Sequence, residues 1–139
     1  MSSNKIFEYK VQTKESHLDS FGHINNAVYV QLYEEARWDF INKSNMGLDF
    51  IQNTQVGPVL LEMQIRFKRE IKNREELIIR SQALELKSSR IILLDQKIIN
   101  SDKKVASEAV FTIGLMDLKL RKLIDADENW LRAIGFNLP

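Results

Sequence analysis

The sequence predicts an α+β domain in which a curved antiparallel sheet of about five strands wraps one long helix and a short helix closes the chain. Three observations predict it. Apolar and polar residues alternate near the start of the chain and again from Val59 onward, the period of a half-buried strand. Between these stretches one segment repeats apolar residues at i, i+4, i+7 and i+11, the period of a helix. The order is thus strand, long helix, four strands, which segregates the helix to one face of the sheet.

Composition sets the bounds. Leu, Ile, Val and Phe make up about a third of the 139 residues, enough to fill a core. With no Pro/Gly/Ser linker and no internal repeat, residues 1–139 read as a single domain. The formal net charge is +1, which disfavours a general nucleic-acid binder and makes any anion site a matter of where cations cluster. The absence of cysteine excludes a disulfide framework, a zinc ribbon and thiol catalysis, and suits a reducing compartment. Residues 1–12 lack the apolar core of a signal peptide, and no later run approaches membrane-spanning length. A soluble, cytoplasmic protein with no membrane insertion is expected.

In chain order, Ile6 to Thr13 puts Phe7, Tyr9 and Val11 on one side of a strand. A polar stretch from Lys14 to Asn26 contains Gly22 and leads into the helix. Its stripe is Tyr29, Tyr33, Ala36 and Phe40, widened by Val30 and Ile41, and it runs to about Asn42. Gln31, Glu34, Glu35, Arg37 and Asp39 form the side expected to face solvent, with Glu34 and Arg37 spaced for a weak ion pair. A loop with Gly47 and Gly57-Pro58 precedes the clearest strand, Val59 to Phe67. Three apolar runs follow at hairpin-like spacing: Leu77 to Leu86, Ile91 to Ile99 and Val105 to Leu118. The last lacks the proline or inward lysine that guards an open edge, and an unguarded edge is normally blocked or paired. Near the end, Asp125 with Glu128 reads as a helix cap, Trp130, Leu131 and Ile134 as an apolar face, and Gly135 as the stop.

The segment Ser16-His-Leu-Asp19-Ser-Phe21-Gly-His23-Ile-Asn25-Asn26-Ala-Val-Tyr29 carries the chemistry. It ends at a helix N-terminus, whose N–H groups lack intrahelical partners and favour negative charge. Such an end holds a developing oxyanion. A carboxylate folded back beside it suits a nucleophile or a general base for acyl transfer. From spacing alone the commoner use of these residues is as caps, Asp19 on a turn and Asn25 or Asn26 on the helix. The two histidines, His17 and His23, have no ligand spacing, so no metal is expected. A second cluster is basic: Arg66, Lys68, Arg69, Lys72 and Arg74, then Lys87 and Arg90 around the next turn. It offers charge-assisted bonds to phosphate, or equally a solvated strand face diluted by Glu70, Glu75 and Glu76.

Asp19-Ser-Phe-Gly22-His23-Ile-Asn25-Asn26-Ala-Val-Tyr29, followed by Tyr33, Glu34 and Ala36-Arg37, resembles the D-x-x-G-H-x-N-N-x-x-Y…E-x-A-R signature of hotdog-fold acyl-CoA thioesterases of the 4-hydroxybenzoyl-CoA thioesterase type. The order of elements agrees along nearly the whole chain. The resemblance implies Asp19 as the catalytic carboxylate and the backbone N–H of Asn26 as the group that polarises the thioester carbonyl. It implies that Lys87, Ser88, Ser89 and Arg90 hold the coenzyme A phosphates ahead of Arg66 and Arg69. The acyl chain is expected between helix and sheet, reaching Phe21, Tyr29 or Tyr33. No cofactor is implied, since coenzyme A is part of the substrate, and the assembly is expected to be a homodimer or a dimer of dimers. Plant acyl-carrier-protein thioesterases carry D-x-N-x-H; Phe21 stands in place of that asparagine, so a catalytic Asn/His pair is not supported. His23 then holds Asp19 in place or contacts substrate, the first being favoured. Two other functions fit the same residues, a non-catalytic acyl-CoA-binding domain and an acyl-carrier-protein thioesterase whose basic run receives the acidic carrier.

Overall fold

The structure, a computed structural model, describes residues 3–139. Strand β1 (Ile6–Gln12) leads through a 3-10 turn (Glu15–His17) to helix α1 (Asn26–Lys43) and a short helix α2 (Leu48–Thr54). Then come β2 (Val56–Phe67), β3 (Glu76–Ser88), β4 (Ile91–Ile99), β5 (Val105–Asp117), the short β6 (Lys122–Ile124) and α3 (Glu128–Ala133). The strands form one antiparallel sheet in the order β1-β3-β4-β5-β2, and β6 pairs with the end of β5. The α+β prediction of one long helix against a curved antiparallel sheet holds, with six strands rather than five.

Four details differ from the sequence expectation. The segment around Leu48 is a helix, because Gly47 N-caps it and Ile51 gives it one buried anchor; a single apolar anchor leaves no periodic stripe. The clearest strand does not form a hairpin with the next one. β2 crosses over to pair with β5, from Val56↔Asp117 to Phe67↔Ser107, so β2 is an edge and β5 is interior. The edge role expected of Val105 to Leu118 thus belongs to β2. Finally, α3 is capped by Asp127, whose carboxylate accepts from Trp130 N–H at 2.9 Å, while Asp125 bonds elsewhere.

Helix α1 buries Val28, Tyr29, Leu32, Tyr33, Ala36, Phe40 and Ile41, a stripe broad enough to fill a concave sheet. Opposite it lie Leu77 and Ile79 of β3, Ile92, Leu94 and Ile98 of β4 and Phe111 of β5. Phe7 stacks on Phe40 with ring centres 4.5 Å apart, and Tyr33 meets Phe111 edge-on at 5.4 Å. Arg37, expected at the surface beside Glu34, is half-buried instead. It donates to Gln96 Oε1 at 2.9 Å, and Gln96 Nε2 donates to Tyr33 O at 3.1 Å and Ser81 Oγ at 2.9 Å. This network satisfies the polar groups that the helix and sheet bury between them.

The chain end closes on its start. Gly135 has φ +96°, and a Cβ there would lie 2.8 Å from the Phe7 ring and 3.1 Å from Lys5 O, so only glycine suits the turn. Lys5 N–H donates to Gly135 O at 2.8 Å. On the convex face, strand registers bring Glu8, Arg80, Lys97, Glu108 and Arg66 into one row of charges across all five long strands.

Candidate active site

The loop between β1 and α1 is a miniature hairpin. Leu18 and Ile24 form an antiparallel bridge, Asp19 N–H donates to His23 O at 2.8 Å, and Asn25 N–H donates to His17 O at 2.9 Å. Gly22 makes the turn with φ +80°, left-handed backbone that favours glycine. Asp19 Oδ1 accepts from Phe21 N–H at 2.9 Å and His23 N–H at 3.2 Å. Oδ2 has no hydrogen bond among the described residues. A carboxylate so held is rigid and still has one oxygen available to a water or an acyl group.

The start of α1 follows at once. Asn25 is the N-cap: its side chain accepts from Ala27 N–H at 2.9 Å and its carbonyl from Val28 N–H at 2.9 Å. Asn26 N–H, exposed, is left without an acceptor among the described residues, as the first helical donor should be. The structure brings Asp19 and Asn26 into one loop and helix start without a hydrogen bond between them; the Asp19 carboxylate is fixed by its own turn. His23 turns its ring away to Glu70, with Nε2 2.8 Å from Oε1. His17 accepts from Lys14 N–H through Nδ1 at 3.1 Å. The neighbouring 3-10 turn is anchored by Glu15, which accepts from Arg74 Nε and Asn73 Nδ2, each at 2.8 Å. Those bonds, the Arg74 contact first, hold the Glu15 carboxyl down to about 2.

The aromatic residues expected along the acyl slot divide. Phe21 is 82% exposed at the loop tip. Tyr29 is buried in the first turns of α1 and meets Phe67 edge-on at 4.8 Å; burial first, and then the charge of Glu70, raises its pKa. Tyr33 is a core residue whose hydroxyl donates to Ser107 Oγ at 2.7 Å, and burial raises its pKa further. None of the three lines the apolar cavity found between helix and sheet. That cavity, about 240 Å³, lies under the C-terminal half of α1, with Trp38, Phe40, Leu60, Ile92 and Trp130 among its walls and the polar Glu34 and Arg37 beside them.

The basic residues are scattered. Arg66 points from the convex face toward Glu108, 4.0 Å away, and Arg69 spends its guanidinium on Val105 O at 2.9 Å. Ser89 and Arg90 make the β3–β4 turn, and Lys87 and Ser88 end β3 beside it, around the turn where they were expected. There Asp125 accepts from Ser89 Oγ at 2.7 Å and Arg90 Nε at 3.2 Å, and Ser88 Oγ accepts from Arg90 N–H at 3.2 Å. These contacts lower the Asp125 pKa, Ser89 first and Arg90 next. Lys87 is exposed with no ion pair among the described residues. β3 separates this turn from the Asp19 loop: its first residue, Glu76, pairs with Gln12 beside the loop, and its last, Ser88, closes a strand of 13 residues, roughly 40 Å long at strand rise. Two residues were missed by the sequence reading. Glu70 was seen only as diluting a basic run, and Asp125 only as a cap; pairs this distant in sequence leave no spacing signal.

A long helix wrapped by a six-stranded antiparallel sheet defines a hotdog fold, and the loop that carries Asp19 runs directly into the start of that helix. Comparison with known proteins agrees. The family model of the thioesterase-like superfamily matches residues 11–134, and the chain belongs to that family. The chain is 28% identical over 115 residues to the long-chain acyl-CoA thioesterase FadM of Escherichia coli, an alignment covering 83% of this chain and 86% of FadM. It superposes on the probable thioesterase YbaW of Escherichia coli with a TM-score of 0.79 at 26% identity, covering 91% of this chain and 94% of that one. A Staphylococcus aureus protein solved in complex with CoA shares the fold at a TM-score of 0.86 and 13% identity, covering 96% and 84% of the two chains.

Proposed function

We propose that the protein hydrolyses acyl-CoA thioesters, with Asp19 as the acting carboxylate and Asn26 N–H as the oxyanion donor. The observation that carries this reading is the Asp19 turn: Oδ1 is locked by two N–H groups and Oδ2 is free, in a loop that runs straight into an unpaired helix N–H. In the general-base form, Oδ2 takes a proton from water as the water oxygen bonds to the thioester carbon. The charge gathers on the carbonyl oxygen, where Asn26 N–H stabilises it. The intermediate then collapses, the C–S bond breaks, and CoA leaves as thiol with the proton returned from Asp19. The relation to FadM supports acyl-CoA, and a long apolar chain, as substrate. The helix–sheet cavity supplies apolar walls for it.

The site is proposed to need two subunits. Leu60, Leu61, Met63 and Phe67 on edge strand β2 are each 44–51% exposed, an apolar edge of the kind that pairs. Two-fold antiparallel pairing of β2 would set two α1 helices side by side in opposite directions. The Asp19 loop of one protomer then lies toward the cavity and the Lys87–Arg90 turn of its partner, which one chain holds at opposite ends. The deciding experiment is thiol release from short, long and aromatic acyl-CoAs by wild type and Asp19→Asn. Hydrolysis that Asp19→Asn abolishes supports the reading. Tight CoA-thioester binding without turnover would show a binding domain instead, and turnover only of carrier-bound acyl groups a carrier-protein thioesterase.

A further inference from the structure

Glu70 and His23 meet at 2.8 Å across 47 residues of sequence. An ionised carboxylate only accepts, so this contact places a proton on His23 Nε2 and fixes the ring. The two partners differ in rigidity. Glu70 stands on a segment tied down on both sides: Lys68 and Arg69 N–H both donate to Ala106 O, at 2.8 and 3.0 Å, and Ile71 is fully buried. Beyond it Lys72 O accepts from the buried Thr13 hydroxyl at 2.6 Å. His23, by contrast, sits in the exposed turn that carries Asp19, and its backbone closes that turn twice, through its carbonyl to Asp19 N–H and through its N–H to Asp19 Oδ1.

We propose that Glu70 is a positioning residue for thioester hydrolysis, holding the Asp19 loop in its working shape through the ring of His23. The proposal rests on Asp19 being the acting carboxylate. The base of the loop is held by the Leu18–Ile24 bridge, the Asn25–His17 bond and the buried Ile24, but its tip has few anchors: Phe21 is exposed and Gly22 has open space around it. Without Glu70 the ring is free, and the tip that carries the two N–H groups fixing Oδ1 keeps only the backbone bonds of its own turn. A misplaced carboxylate costs the chemical step more than it costs binding, since the cavity and the β3–β4 turn are built from other residues.

The test uses the purified full-length protein with the acyl-CoA that wild type turns over fastest, and compares Glu70→Ala, Glu70→Gln, His23→Ala, the double His23→Ala/Glu70→Ala and Asp19→Asn. Glu70→Ala is expected to lower kcat at least tenfold with KM within about twofold of wild type. Glu70→Gln, whose amide oxygen still accepts from Nε2, is expected to recover most of the loss. The double variant should be no worse than His23→Ala alone, because the two residues act as one unit. Hydrogen exchange at the Phe21 and His23 amides should speed up in Glu70→Ala. If Glu70→Ala does not fold, His23→Ala, which removes the ring that Glu70 holds, serves in its place with the same expected fall in kcat at unchanged KM. Full kcat in Glu70→Ala, or losses that multiply in the double variant, overturns the proposal. A fully active Asp19→Asn overturns the underlying reading of the site, whereas an inactive Asp19→Asn beside a fully active Glu70→Ala removes only the role of Glu70.

Discussion

Arg37 lays its guanidinium 4.4 Å from the centre of the Phe111 ring while donating to Gln96. Burial lowers its pKa, and the ring face and the amide oxygen compensate for lost water. Arg37→Met keeps the length of the stem but strips Gln96 Oε1 of its donor. The expected cost is about 2 kcal/mol, for a lost charge-assisted bond and a lost cation–π contact. Thermal unfolding should shift down by roughly 5 °C; an unchanged melting temperature would show that the network carries no stability.

Asp19→Asn should fold as wild type does and lose turnover by about three orders of magnitude. The amide keeps volume and its oxygen still accepts from Phe21 and His23 N–H, while the basic, nucleophilic charge is gone. Circular dichroism and thiol release on the same sample check both halves of the expectation.

Replacing Lys87 and Arg90 together by alanine should raise KM for CoA thioesters several-fold and spare N-acetylcysteamine thioesters, which lack the phosphates. Equal losses on both substrates would move phosphate recognition away from the β3–β4 turn.

Glu15 gives a pH signature. Its folded carboxyl is held at about 2, below the ordinary value of 4.5, chiefly by Arg74 and then Asn73. A depressed folded value contributes stability that is full above the unfolded value and is lost as pH falls from about 4.5 toward 2. Since the pair is solvent-exposed, the effect is small. Glu15→Gln should flatten the acid limb of a stability-against-pH curve and leave neutral stability lowered slightly; a wild-type acid limb in that variant would remove Glu15 from the account.

Much of this was legible in the sequence because the signals were local. The Tyr29, Tyr33, Ala36, Phe40 stripe fixes α1, and Asn25 caps it from one position away. The Asp19 turn is spelled by residues within four positions of each other. What was hidden depends on partners brought together by the sheet. The alternation of β2 looks the same whether it pairs with β3 or β5. Arg37 reads as a surface residue until Gln96 arrives beneath it, and Asp125 reads as a cap until the β3–β4 turn folds against it. Gly47 and one buried isoleucine are too little pattern to announce α2.

The charged row on the convex face bears on how copies of this protein pack. Burying Glu8, Arg80, Lys97, Glu108 and Arg66 beneath another sheet would strip five charges of water at once, a desolvation cost that the matched pairs within the row do not repay. The β2 edge carries no such toll, with Leu60, Leu61 and Met63 half-exposed along it. The back of the sheet is therefore poorly suited to stacking, while the apolar β2 edge is suited to lateral pairing. Two-fold pairing of β2 with β2 would use up that edge in both copies, so growth through it would stop at a pair instead of running on into a fibre.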